Sequence, residues 1–192
     1  VLWMVFSLSI LQAKEIKMSS PDEKYQFTLS DEGGNLHYSL NWNAKETIKP
    51  SLLGIKANTI WRDHLSLGDM TTAEQDTVWH PVYGERSTIK DQYKAWSVVI
   101  NRQNSRDKLV LDIRAYNEGI AFRYRFPGGQ YLKITDEFTE YTLPEGTKAY
   151  FTSRAQTPYE FLPLEGWPGE SDRPLLLTLQ MARSEERRVG KE

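Results

Sequence analysis

A chain of 192 residues suits one domain, or one domain with part of a second. Lys and Arg total 24 against 26 Asp and Glu, and the formal charge of −2 excludes a broad basic face for a nucleic-acid backbone. Six Trp and ten Tyr with an ordinary charged fraction argue for a packed core, and the absence of cysteine excludes disulfides, thiolate metal sites and a cysteine nucleophile.

The first eleven residues, VLWMVFSLSIL, are almost wholly apolar. They are too few for a helix across a bilayer core roughly 30 Å thick. With Gln12-Ala13 and the charged Lys14-Glu-Ile-Lys17 behind them, residues 1–13 read as part of a secretory signal peptide, cleaved near Ala13 and lacking its charged start. The expected location is secreted or periplasmic, with no membrane attachment after cleavage, because no cysteine follows to take a lipid anchor.

From there the periodicity is that of strands, whose successive side chains point to opposite faces. Tyr25–Leu29 and Leu36–Trp42 alternate apolar and polar residues around Asp31-Glu-Gly-Gly-Asn35, which predicts a hairpin. Asp91–Ile100 and Lys108–Tyr116 form a second pair, with Leu109, Leu111, Ile113 and Ala115 on one face. Asn117-Glu-Gly119 turns the chain into Ile120–Phe126, with Phe122, Tyr124 and Phe126 opposed to Ala121, Arg123 and Arg125. No dozen residues sustain a helical apolar stripe, and no repeat or linker interrupts residues 19–180. The prediction is an all-β antiparallel β-sandwich of one domain, residues 14–182.

Arg183-Ser-Glu-Glu-Arg-Arg-Val-Gly-Lys-Glu192 breaks this pattern with a dense charge run. A capped charged helix is one reading. The string also matches the translation of a sequencing-adapter oligonucleotide, so residues 183–192 are set aside as an artefact and the sandwich is expected to be incomplete at its C-terminus.

Three histidines, His37, His64 and His80, lack zinc-ligand spacing. His37 is expected to face solvent from a strand, and His64 and His80 to lie in loops. No nucleophile elbow, phosphate loop or dinucleotide fingerprint is present. Aromatic and acidic residues concentrate in Trp79-His-Pro-Val-Tyr-Gly-Glu-Arg86 and in residues 157–170. That mixture suits a sugar, whose apolar face stacks on rings while its hydroxyls bond carboxylates, although Trp and Tyr in a sandwich are more often core or rim than ligand platform.

Several segments, in order, resemble the N-terminal domain of glycoside hydrolase family 97. They are Ser20-Pro-Asp-Glu-Lys24, Gly33-Gly-Asn-Leu36, Ser51-Leu-Leu-Gly54, Trp79-x-Pro-Val-Tyr-Gly-Glu-Arg-Ser87, Asp91-Gln-Tyr93, Arg114–Tyr124 and Ile134–Glu140. The resemblance implies a galactose-mutarotase-like super-sandwich before a (β/α)₈ barrel in a secreted, calcium-dependent exo-α-glucosidase or α-galactosidase acting on an oligosaccharide or glycoside. It implies that both catalytic carboxylates belong to the barrel, so none is in this chain and the fragment is inactive alone. It further implies calcium as cofactor and Glu160, in a loop after the Ala149–Thr152 strand, as one metal ligand, with Glu165 or a residue past the truncation as the competing choices. Calcium needs several oxygen ligands, so one carboxylate completes a shell without creating it. The alternatives are a non-catalytic carbohydrate-binding sandwich and a mutarotase-like epimerase, which would need His80 and Glu85 to converge.

Overall fold

A computed structural model describes residues 13–128, 131–154, 156–166 and the backbone of 176–178. Apart from Ala13, the signal-peptide segment lies outside the described residues, as does the whole of residues 183–192. The chain divides into two compact units, Val1–Thr142 and Leu143–Glu192, so a boundary falls within the span read as one domain.

The first unit holds two four-stranded antiparallel meanders. β1 (Glu15–Ser19), β2 (Tyr25–Ser30), β3 (Leu36–Trp42) and β4 (Lys45–Leu53) make one sheet in that order. After the short β5 (Ile55–Lys56) and β6 (Ile60–Trp61), β7 (Leu65–Trp79), β8 (Ile89–Arg102), β9 (Lys108–Tyr116) and β10 (Gly119–Arg125) make the other. Both hairpins and the β9–β10 turn stand where the alternation put them. The β2–β3 connection is a 3₁₀ turn with Gly33 at φ 63° and Gly34 at φ 80°, a region glycine enters without a Cβ penalty.

The inner faces of the two sheets share one core. Phe27, Leu29, Leu36, Tyr38 and Leu53 meet Leu67, Val98, Ile100, Leu109, Leu111 and Ile113, all buried. Phe27 stacks on Tyr38 at 5.6 Å between ring centroids and meets Phe122 of the opposite sheet at 6.4 Å. The expected face of β9, including Ala115, is fully inside, while Ala121, Arg123 and Arg125 of β10 point outward. The fold is therefore the all-β sandwich the pattern predicts.

Residues 135–142, carrying the short β11 (Asp136–Glu137), run beside β4 and β5. Their amides donate to the carbonyls of Leu52, Gly54 and Lys56 at 2.8–2.9 Å. Two core tyrosines fasten this strap: the Tyr38 hydroxyl donates to the Glu140 carbonyl at 2.7 Å, and Tyr124 shares a 3.1 Å hydrogen bond with Thr139. Burial pushes the Tyr38 phenol well above its ordinary range and raises that of Tyr124 to about 12.

β7 was not foreseen. Beyond Gly68 almost every residue to Trp79 is exposed, so the strand has no buried face to impose alternation. In the second unit β12 (Lys148–Phe151) lies between β13 (Glu160–Pro163) and β14 (Leu176–Thr178), with a 3₁₀ turn at Leu164–Gly166. Among the described residues no helix is long and apolar enough to cross a membrane.

Candidate functional site

Glu160 is the first residue of β13, not a loop residue as expected, and pairs in register with Phe151 of β12. β12 and β13 pair antiparallel from Lys148 opposite Pro163 to Phe151 opposite Glu160, so Glu160 takes the first ladder position instead of a loop. Its side chain is exposed and no hydrogen bond or ion pair engages it among the described residues. Glu165 is also exposed, in the following 3₁₀ turn. Among the described residues no three His, Cys, Asp or Glu side chains come together to hold a metal.

His64 and His80 serve local structure. His64 turns the chain at φ 55°, and its carbonyl accepts the Gln103 amide at 2.8 Å. The His80 ring reaches the Ser87 carbonyl at 2.9 Å and the Thr88 hydroxyl at 3.3 Å, and it forms no ion pair with Glu85. The convergence an epimerase would need is not made. His37 is on the outer face of its sheet but is only half exposed, and its Nδ1 is buried without a partner. Cross-strand neighbours Ser30 and Leu52 flank it there, which explains why it is less open than expected.

Sequence reasoning passed over the outer face of the β7–β10 sheet, which bears an open groove of about 630 Å³. Its floor is a cross-strand row, Ala73, Ala95, Arg114 and Ala121. On one side Tyr93 and Tyr116 pair at 5.1 Å, with the Arg114 guanidinium 4.5 Å over the Tyr93 ring. On the other, Asp112 accepts hydrogen bonds from Ser97, Arg123 and Arg125. These bonds, chiefly those from Arg125, hold the carboxyl well below the usual carboxylate range against the opposing effect of burial. The alternation of Asp112 with Arg114, and of Arg123 with Arg125, was the available signal, since each pair must share a face.

The fold defines an antiparallel β-sandwich, in which no three His, Cys, Asp or Glu side chains gather as a metal site among the described residues. The profile described as Glycosyl-hydrolase 97 N-terminal matches residues 18–184, and the chain belongs to that family. The retaining alpha-galactosidase of Bacteroides thetaiotaomicron is 22% identical over 151 residues, which cover 78% of this chain and 22% of the relative. A glycoside hydrolase family 97 enzyme from Pseudoalteromonas sp. strain K8, solved in complex with panose, superimposes with a TM-score of 0.72 at 24% identity over 79% of this chain and 25% of its own. A beta-arabinopyranosidase crystal structure gives 0.68 at 23% identity over 76% of this chain and 26% of its own. The chain thus spans about a quarter of the length of these relatives.

Proposed function

We propose that this chain is the N-terminal, carbohydrate-site-forming domain of a secreted, calcium-dependent exo-α-glycosidase, an α-glucosidase or α-galactosidase. The observation that carries the reading is the family match across residues 18–184, joined to a curated relative that is a retaining alpha-galactosidase. A solved relative holds panose, which favours an oligosaccharide or glycoside as substrate here.

Glycoside hydrolysis requires two carboxyl groups set across the scissile bond. In this reading both come from a (β/α)₈ barrel in the remainder of the enzyme, and this domain positions the substrate and supplies a metal ligand. Calcium, when bound, would polarise and orient substrate oxygens. The residues present fit a partial role toward it: Glu160 offers a hard, exposed oxygen donor with no competing partner, but no further acidic side chain clusters beside it among the described residues. Export follows from the apolar, uncharged residues 1–11.

The test is to express the full gene and assay p-nitrophenyl α-glucoside and α-galactoside with and without a calcium chelator. Chelator-sensitive release of nitrophenol from either supports the reading and names the sugar. A full product inert on both yet retained on an oligosaccharide resin replaces it with a carbohydrate-binding module.

A further inference from the structure

β7 and β8 outrun the rest of their sheet. Tyr116, the last residue of β9, stands opposite Tyr93, so Ile89–Gln92 of β8 pair only with Asp76–Trp79 of β7. β7 is itself an edge strand. The result is a two-stranded arm with neither edge paired among the described residues, closed by residues 80–88. Such a ribbon is marginal in water without a surface to pack on.

This arm is nevertheless held in shape. Asp76 accepts a 3.1 Å hydrogen bond from Gln92 and lies 3.8 Å from the Lys90 ammonium. His80 ties the neck of the loop to Ser87 and Thr88. What this framework presents outward is apolar: Val78 is 55%, Trp79 50%, Val82 99% and Tyr83 90% exposed. Exposed apolar groups gathered at one tip and rimmed by charge, here Glu85 and Arg86, mark an interaction site rather than scattered surface residues.

The side-chain chemistry selects the occupant. Trp79 and Tyr83 are rings that a sugar platform also uses, but the two branched aliphatic valines beside them gain only from an apolar protein pocket, which favours protein over sugar as the occupant. Four apolar side chains also fall well short of the roughly 20–30 residues per side of a freestanding complex. A patch this small suffices when its target is tethered, because linkage replaces a bimolecular encounter with a high effective concentration. The relatives, more than three times as long as this chain, leave room for such a target.

We infer that the β7–β8 arm is a docking finger whose tip, Val78, Trp79, Val82 and Tyr83, inserts into an apolar pocket on the catalytic remainder of the same polypeptide. This rests on the proposed function above, in that a catalytic remainder follows the domain.

The experiment is hydrogen–deuterium exchange on the purified full-length protein, wild type beside Val82→Asp, Tyr83→Ser and, as a control, Tyr131→Ser, whose side chain is 87% exposed away from the arm. All three substitutions are at exposed positions and leave the core intact. Docking predicts amides 76–92 at least about tenfold slower to exchange in wild type and Tyr131→Ser than in the two arm variants. Equal, rapid exchange in all four overturns it. Protection that depends on protein concentration, or that requires added oligosaccharide, also overturns it, by assigning the tip to a second copy or to a sugar. Nitrophenol release by the same preparations tests the proposed function separately, so an active enzyme with an unprotected arm refutes only the finger.

Discussion

Asp112 of β9 and Arg125 of β10 meet diagonally across their strand pair, Nε donating to Oδ2 at 2.8 Å and Nη2 to Oδ1 at 2.9 Å. The fork is strong because both partners are charged and the carboxylate is only 15% exposed. Its folded pKa lies below the unfolded value of about 3.9, so the pair stabilises fully above about pH 4, and that stability drains as pH falls below it. Asp112→Asn is expected to cost about 2 kcal/mol at pH 7. Urea unfolding at pH 7 and pH 3 checks this, and a wild-type advantage that fails to shrink at the lower pH counts against it.

The buried tyrosines give the opposite sign at the alkaline end. Tyr38 and Tyr124 have phenols raised above an unfolded value of about 10. Their neutral forms therefore support the fold fully below about pH 10, and the support is lost as pH rises toward and past the folded values. Thermal melts between pH 8 and 11.5 should fall more steeply for wild type than for Tyr124→Phe.

Phe27 joins the sheets by touching Tyr38 on its own side and Phe122 on the other. Phe27→Ala is expected to destabilise by about 3–5 kcal/mol, while Phe27→Leu retains most of the volume and costs far less. Denaturant midpoints of the two variants decide, and equal losses would deny the ring its bridging role.

Gly68 occupies the register shift between Leu67 and Met70. A Cβ there would stand 2.5 Å from Asn101 Nδ2 and 3.0 Å from the Val99 carbonyl oxygen. The side-chain amide can yield but the carbonyl cannot, so Gly68→Ala is expected to cost about 1–3 kcal/mol by overpacking. Gly68→Ala combined with Asn101→Ala recovers only part of that loss, as read by thermal denaturation.

If Glu160 ligates calcium as the proposed function holds, Glu160→Gln in the full-length protein is expected to weaken calcium binding on the order of ten- to a hundredfold. Titration calorimetry with calcium alone reads it, beside Glu165→Gln. A drop only in the latter moves the ligand to Glu165, and no change in either removes this domain from the metal site.

Alternation alone made β2, β3, β8, β9 and β10 legible, because Phe27 and Leu29, or Leu109 to Ala115, have one face to bury and one to wet. The ordered motifs from Ser20 to Glu140 carried the family. Period two states which face a residue takes but never which strand lies beside it. Only the tertiary structure therefore decided that Arg125 reaches Asp112 diagonally, that residues 135–142 strap the edge of β4, and that Glu160 opens a strand. It also decided β7: a ribbon exposed on both faces imposes no pattern on its residues, so its existence depends on the register it shares with β8.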